Sequence, residues 1–145
     1  MPEQELHPAV RVQPSEIAGR GLFATEGLSS GSVVLRLAGG SGRVDGLGSS
    51  FPNHCCDANL GWLDELTLVT MTDVAAGAEL VTDYAMSIVE PEWLLRCHCP
   101  SYRCRQMVEG TDWRIPQLQA RYDGWWAPHA QRLVDASRRA SADPG

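Results

Sequence analysis

Three of the chain's five cysteines fall within eight residues, Cys97-His98-Cys99-Pro100-Ser101-Tyr102-Arg103-Cys104, in a C-x-C-x4-C spacing. Thiolates clustered this closely suit zinc, which in structural sites takes four nitrogen or sulfur ligands. Three donors leave that shell one short, so the cluster needs a ligand from elsewhere in the chain. The remaining cysteines, Cys55 and Cys56, stand together in Asn53-His54-Cys55-Cys56-Asp57-Ala58-Asn59. A metal shared by the two segments would clamp the C-terminal part of the chain onto its middle. His54 and His98 are rival donors and rank below Cys56.

The competing chemistry is disulfide formation. The N-terminal residues Met1-Pro2-Glu3-Gln4-Glu5 are acidic and precede no apolar run, so a reducing, cytoplasmic setting is expected. An odd cysteine count also suits four ligands plus a spare better than a disulfide framework.

Composition narrows the partners. With 145 residues and 43% hydrophobic content, the chain reads as one globular domain with its own core. No apolar run approaches a membrane span. The net charge of -6 gives no basic surface to track phosphates, so neither nucleic acid nor membrane is an expected partner. Arg132, Arg138 and Arg139 are read as complementing a helix C-terminal dipole. All 12 basic residues are arginine, a bias read as GC-rich coding.

The elements that must position these residues are short. Gly21-Leu22-Phe23-Ala24 and Val33 to Leu37 read as strands, with a turn at Leu28-Ser29-Ser30-Gly31. Gly39 to Ser50, with five glycines, reads as a loop. Leu66 to Met71 is the strongest strand signal, and after a turn at Ala75-Ala76-Gly77 comes Glu79 to Tyr84. Pro91 to Leu95 predicts one helical turn with proline first. Pro116 to Tyr122 and Pro128 to Ala140 predict helices separated by Gly124, and Ser141 to Gly145 should fray. The class expected is α+β, mainly β, with a zinc-clamped helical tail.

Three further segments are weak signals singly. Ala18-Gly19-Arg20-Gly21 sets two glycines around an arginine ahead of a strand, where a plain hairpin is the simpler explanation. Asn53-His54 lies just before Cys56, and Glu79 to Tyr84 ends a strand on a tyrosine, ordinarily half-buried core. Taken in order, Gly-Arg-Gly-Leu-Phe-Ala, Asn-His-x-Cys-Asp-x-Asn, Gly-x-Glu-Leu-x-x-Asp-Tyr and C-x-C-x4-C closely resemble the SET-domain protein lysine methyltransferases with a post-SET zinc segment, over Ile17 to Val108. The tail from Thr111 is similar to that of small bacterial members.

The resemblance implies a β-clip SET fold over 8–90 with a minimal insert at 38–52. A post-SET segment over 91–110 and a helical tail over 111–145 would follow. It implies backbone contacts to S-adenosylmethionine from Ala18, Gly19, Arg20 and Gly21, and further cofactor contacts from Asn53 and His54. Tyr84 would be catalytic and also touch the cofactor. Cys56, Cys97, Cys99 and Cys104 would hold one structural Zn2+, and the strand ending in Tyr84 would thread beneath the Asn-His segment, knot-like. Trp113 is the aromatic residue proposed to stack on adenine, whereas Trp125 and Trp126 are assigned to the core and His129 to a solvated helix face.

Methyl transfer to an amine is an in-line displacement in which positioning dominates. The attacking lysine must be neutral, and burial beside a cation lowers its pKa from about 10.4. Departures from the family pattern bear on substrate. Cys55 replaces a serine, Ala58 a proline, Ala78 an acidic residue, and Thr82 an aromatic residue, widening one wall of a lysine channel. Only 31 residues separate Gly21 from Asn53, so the substrate groove is minimal or is completed by a second subunit, as in a homodimer. A basic protein is the substrate that an acidic enzyme would attract. Two alternatives stand beside this reading: a non-catalytic, zinc-stapled module that binds a peptide or protein, and methylation of a small amine.

Overall fold

The computed structural model describes residues 5–37 and 51–142. The glycine-rich stretch read as a loop, Gly39 to Ser50, lies outside them. The chain is mostly β. Strands β1 (Glu5–Leu6), β2 (Val10–Pro14), β3 (Arg20–Ala24), β4 (Val33–Arg36) and β5 (Asn53–His54) come first. They are followed by β6 (Leu60–Asp64), β7 (Thr67–Thr70) and β8 (Glu79–Thr82). Seven of these form the path β1-β4-β7-β6-β8-β3-β2, and β5 joins it by pairing with β8.

Sequence chemistry explains the order. In β7 every residue is buried, as suits Thr-Leu-Val-Thr in a central strand. Strand β2 is an edge, and Pro14, which has no N–H to donate, closes it. Gly31 and Gly77 turn the chain at φ +87°, a conformation glycine adopts without a Cβ penalty.

The strand carrying the site is β8. It pairs antiparallel with β3 on one side and parallel with both β5 and β6 on the other. Parallel pairing of β5 with β8 sets His54 opposite Thr82, two residues before Tyr84. Tyr84–Met86 then form one 3-10 turn.

After residue 90 the reading from sequence needs correction. Pro91 opens a turn, and Leu94–Arg96 is a strand, β9, paired antiparallel with β10 (Met107–Glu109). A single helical turn would leave Leu95 without a partner strand, whereas the hairpin sets it opposite Val108 above the cysteines. Helices α1 (Pro116–Arg121) and α2 (Pro128–Ala142) follow, with Gly124 at φ +89° between them. Leu118, Tyr122, Trp126, Ala130 and Val134 from this tail join the core formed by Leu22, Leu35, Leu60, Leu68 and Leu80. Trp125 packs half-buried against the same core.

His129 is half-buried rather than freely solvated. Its ring nitrogens lie 2.6 Å from Glu65 Oε1 and 2.6 Å from the Ser87 carbonyl, fastening the start of α2 to the sheet. Arg138 reaches Asp123 at 3.8 Å, and Arg139 stands in the last turn of α2.

Candidate active site and metal centre

The sulfurs of Cys56, Cys97, Cys99 and Cys104 all lie within 4.8 Å of one another. A tetrahedron with Zn–S bonds of about 2.3 Å has edges of about 3.8 Å, and Cys56 Sγ is 3.9 Å from Cys97 Sγ. The donor set, its spacing and its soft chemistry therefore fit one structural zinc ion. Cys55 is buried next to the group, and His98 is exposed. Backbone N–H groups already point at two of the sulfurs: Arg105 donates to Cys56 Sγ at 3.2 Å and Cys99 to Cys97 Sγ at 3.4 Å. The β9–β10 hairpin supplies the frame, since Cys97 follows β9 and its N–H bonds Gln106 just before β10.

Next to the thiols is a cleft of about 180 Å³. One wall is the loop before β3, through Ile17 and Ala18, and the floor is Asn53, His54 and Tyr84. The far wall is the β9 segment from Leu95 to His98, and three of its residues, Arg96, Cys97 and His98, also line an adjoining hollow of about 410 Å³. Zinc ligand and cleft wall are thus the same piece of chain.

Asn53 holds the loop in place. Its side-chain amide donates to the carbonyls of Ala18 (3.0 Å) and Arg20 (3.1 Å) and to Glu79 Oε2 (2.9 Å). Ser15 Oγ donates to the same carboxylate at 2.8 Å. Gly21 is required by this network: a Cβ there would collide with the Glu79 carboxylate and lie 3.0 Å from Asn53 Nδ2. Gly19, at φ +43°, has open space around its Cα. Of the glycine-arginine segment Ala18 lines the cleft, whereas Arg20 and Gly21 pair with β2 and the Arg20 carbonyl accepts from Asn53.

Tyr84 is fixed at both ends. Its hydroxyl donates to the Pro52 carbonyl at 2.7 Å, and its backbone N–H donates to His54 Nδ1 at 3.0 Å. Its ring meets His54 edge-on at 5.2 Å between centroids, with Phe51 and Trp93 each at 6.0 Å. Burial pushes the phenol well above its ordinary pKa, so it stays protonated. His54 is moved the other way: burial dominates, against the pull of Asp83, and brings it down to about 4.

Beneath the turn lies a buried charge pair that sequence reading missed. Asp83, with no exposed side-chain surface, accepts two bonds from Arg105 at 2.8 and 2.9 Å, and Arg105 also reaches Asp112 at 3.1 Å. Burial works against the Asp83 charge, but the guanidinium overrides it and holds the carboxyl below the usual range. Tyr122 from the tail donates to Asp83 at 3.1 Å, and Asp83 caps Ala85 N–H at 3.0 Å. The signal available was position: Arg105 directly follows the last cysteine, and Asp83 directly precedes the tyrosine.

Two assignments are placed elsewhere. Trp113 packs in the main core with the Arg114 guanidinium 5.2 Å from its ring centroid, and it does not line the cleft. Trp93 is the tryptophan that stands by Tyr84. Thr82 is fully buried, and its hydroxyl donates to the Leu60 carbonyl at 3.2 Å, so its side chain is held in the sheet rather than in a channel wall.

No protein-family model matches the chain. It is similar to the histone-lysine N-methyltransferase ash1 of Drosophila melanogaster, with 29% identity over 96 residues, covering 59% of this chain. That stretch is 4% of the fly protein, so the two differ greatly in extent. Among solved structures it superimposes on KRYPTONITE in complex with mCHG DNA and SAH, with a TM-score of 0.55 and 21% identity. The superposition covers 71% of this chain and 29% of that one. The superposition gives the chain a SET-type fold, mostly β, with the four-thiol group near its C-terminal part.

Proposed function

We propose that the chain is a protein-lysine N-methyltransferase that uses S-adenosylmethionine. The observation that carries this is the convergence of Ala18, Asn53, His54 and Tyr84 on one cleft whose far wall is anchored by zinc-ligand positions. The lysine methyltransferase name of the fly relative and the SAH of the structural neighbour, the product of spent S-adenosylmethionine, support it. The cleft suits the cofactor in chemistry: Ile17 and Leu95 offer apolar surface, and Arg96 and His98 offer polar groups. With the adjoining hollow that shares Arg96, Cys97 and His98, the space reaches the few hundred Å³ usual for such ligands.

When bound, S-adenosylmethionine supplies the electrophilic methyl group. The chain's own task is to hold the amine in line and keep water away. Tyr84 keeps its proton, so it serves as a fixed wall and hydroxyl rather than a base. Phe51 and Trp93 pack against the Tyr84 ring and hold it in place, and desolvation of an amine brought beside it lowers the amine's pKa towards the neutral form.

The substrate class we propose is a basic protein, drawn by the net charge of -6. A homodimer that completes a short groove and a cytoplasmic, reducing location belong to the same proposal. The test is transfer of isotope-labelled methyl groups from S-adenosylmethionine to basic proteins by zinc-replete protein, with Tyr84→Phe in parallel. Labelled lysine that depends on Tyr84 supports the enzyme. Cofactor binding without any transfer favours the non-catalytic, partner-binding module.

A further inference from the structure

The ring of His54 is committed on both sides. A backbone N–H can only donate, so the 3.0 Å bond from Tyr84 N–H makes Nδ1 the acceptor. The ring proton is therefore on Nε2, which stands 3.3 Å from Cys56 Sγ. His54 is only 3% exposed, and these two bonds use both of its nitrogens.

Cys56 thus receives two N–H donors, one from His54 Nε2 and one from the Arg105 backbone at 3.2 Å. Each leads back to the same turn. His54 holds the Tyr84 N–H, while the Arg105 side chain holds Asp83, whose carboxylate holds the Ala85 N–H. The first two N–H groups of the 3-10 turn, orphan donors at any helix start, are both fixed by groups tied to one thiol.

We infer that His54 is a positioning residue, an outer-shell strut that joins the zinc centre to Tyr84. Its ring acts through Cys56 and the Tyr84 backbone and not as a cofactor ligand. N–H donors on a ligating thiolate orient it and set its basicity, and losing such a partner weakens metal binding about 10–100-fold. The metal half of this inference is independent of the proposed reaction. Only its consequence for transfer rests on the methyltransferase reading.

Two substitutions separate the two bonds. In His54→Asn the short amide can accept from Tyr84 N–H but cannot reach Cys56. In His54→Gln the longer amide can donate to Cys56 but leaves the Nδ1 position empty. Zinc affinity is read by competition with a chromophoric chelator, without cofactor or substrate. The thiolate-to-metal band of the Co2+-substituted protein provides a second readout. The expected result is a zinc dissociation constant raised about 10–100-fold, with a shifted band, in His54→Asn, and near-wild-type values in His54→Gln. Amide hydrogen exchange at Tyr84 should accelerate in His54→Gln and stay protected in His54→Asn. Unchanged zinc affinity in His54→Asn, or equal loss in both, overturns the inference. Should the asparagine variant not fold, unchanged Tyr84 exchange in His54→Gln overturns it alone. A protein that shows the split yet transfers no methyl group refutes the proposed reaction and leaves the strut intact.

Discussion

At the scale of single residues, the proposed chemistry converges on Tyr84. Its hydroxyl is tethered to the Pro52 carbonyl and its backbone to His54. Tyr84→Phe removes the first tether while the ring keeps its aromatic neighbours. We expect unchanged thermal stability within about 1 kcal/mol, unchanged cofactor affinity by calorimetry, and transfer slowed on the order of 100-fold through misplacement of the reacting groups. Transfer at the wild-type rate would remove Tyr84 from the mechanism. Because the phenol remains protonated, transfer should also rise with pH towards the amine's pKa with no earlier downturn from Tyr84, as a pH–rate profile would reveal. The cysteine cluster stood out from residue type and spacing, whereas Tyr84 and Asn53 were legible only through the resemblance that the ordered motifs carry. Trp113 could not be distinguished from Trp93, because which tryptophan stands by Tyr84 depends on a hairpin that the local sequence does not announce.

Among elements, the loop before β3 and the turn after β8 are the parts whose placement matters. Gly21→Ala forces a methyl group into the Glu79 carboxylate, so we expect a loss of about 1–3 kcal/mol in denaturant unfolding. The Asp83–Arg105 pair ties β8 to the metal segment from within. Arg105→Met alone strands a buried carboxylate and should cost about 3–5 kcal/mol, whereas adding Asp83→Asn should recover most of it. The folded pKa of Asp83 lies below its unfolded value near ~3.9. Its stabilisation is therefore fully present above that value and is lost as pH falls through the folded pKa, which acid unfolding of the wild type and the double variant would reveal. Strands β3, β4, β7 and β8 were visible in their apolar and β-branched runs, and the helices in their proline starts and the glycine between them, whereas β1, β2, β5 and β6 were not. The hairpin β9–β10 was hidden because Pro-Glu-Trp-Leu-Leu satisfies helix-start rules locally, while its true partner lies beyond the cysteine cluster.

Across the whole molecule, the metal centre joins the middle of the chain, the hairpin and the cleft into one unit. Burial raises Cys56 to about 11, so in the metal-free protein its thiol holds a proton that zinc must displace. Zinc affinity should consequently weaken as pH falls, which chelator competition at two pH values would measure. Cys99→Ser or exhaustive chelation should lower the melting temperature and abolish cofactor binding together, since the ligand segment is also the cleft wall. The fold class followed from motif order along the chain. The coupling between thiols, His54 and Tyr84 did not, because it depends on the parallel pairing of β5 with β8. The most direct test of the account is calorimetric titration of zinc-replete protein with S-adenosylmethionine, repeated after zinc removal. One-site binding that disappears with the metal is the predicted result. Absence of binding to the zinc-replete protein would contradict the account.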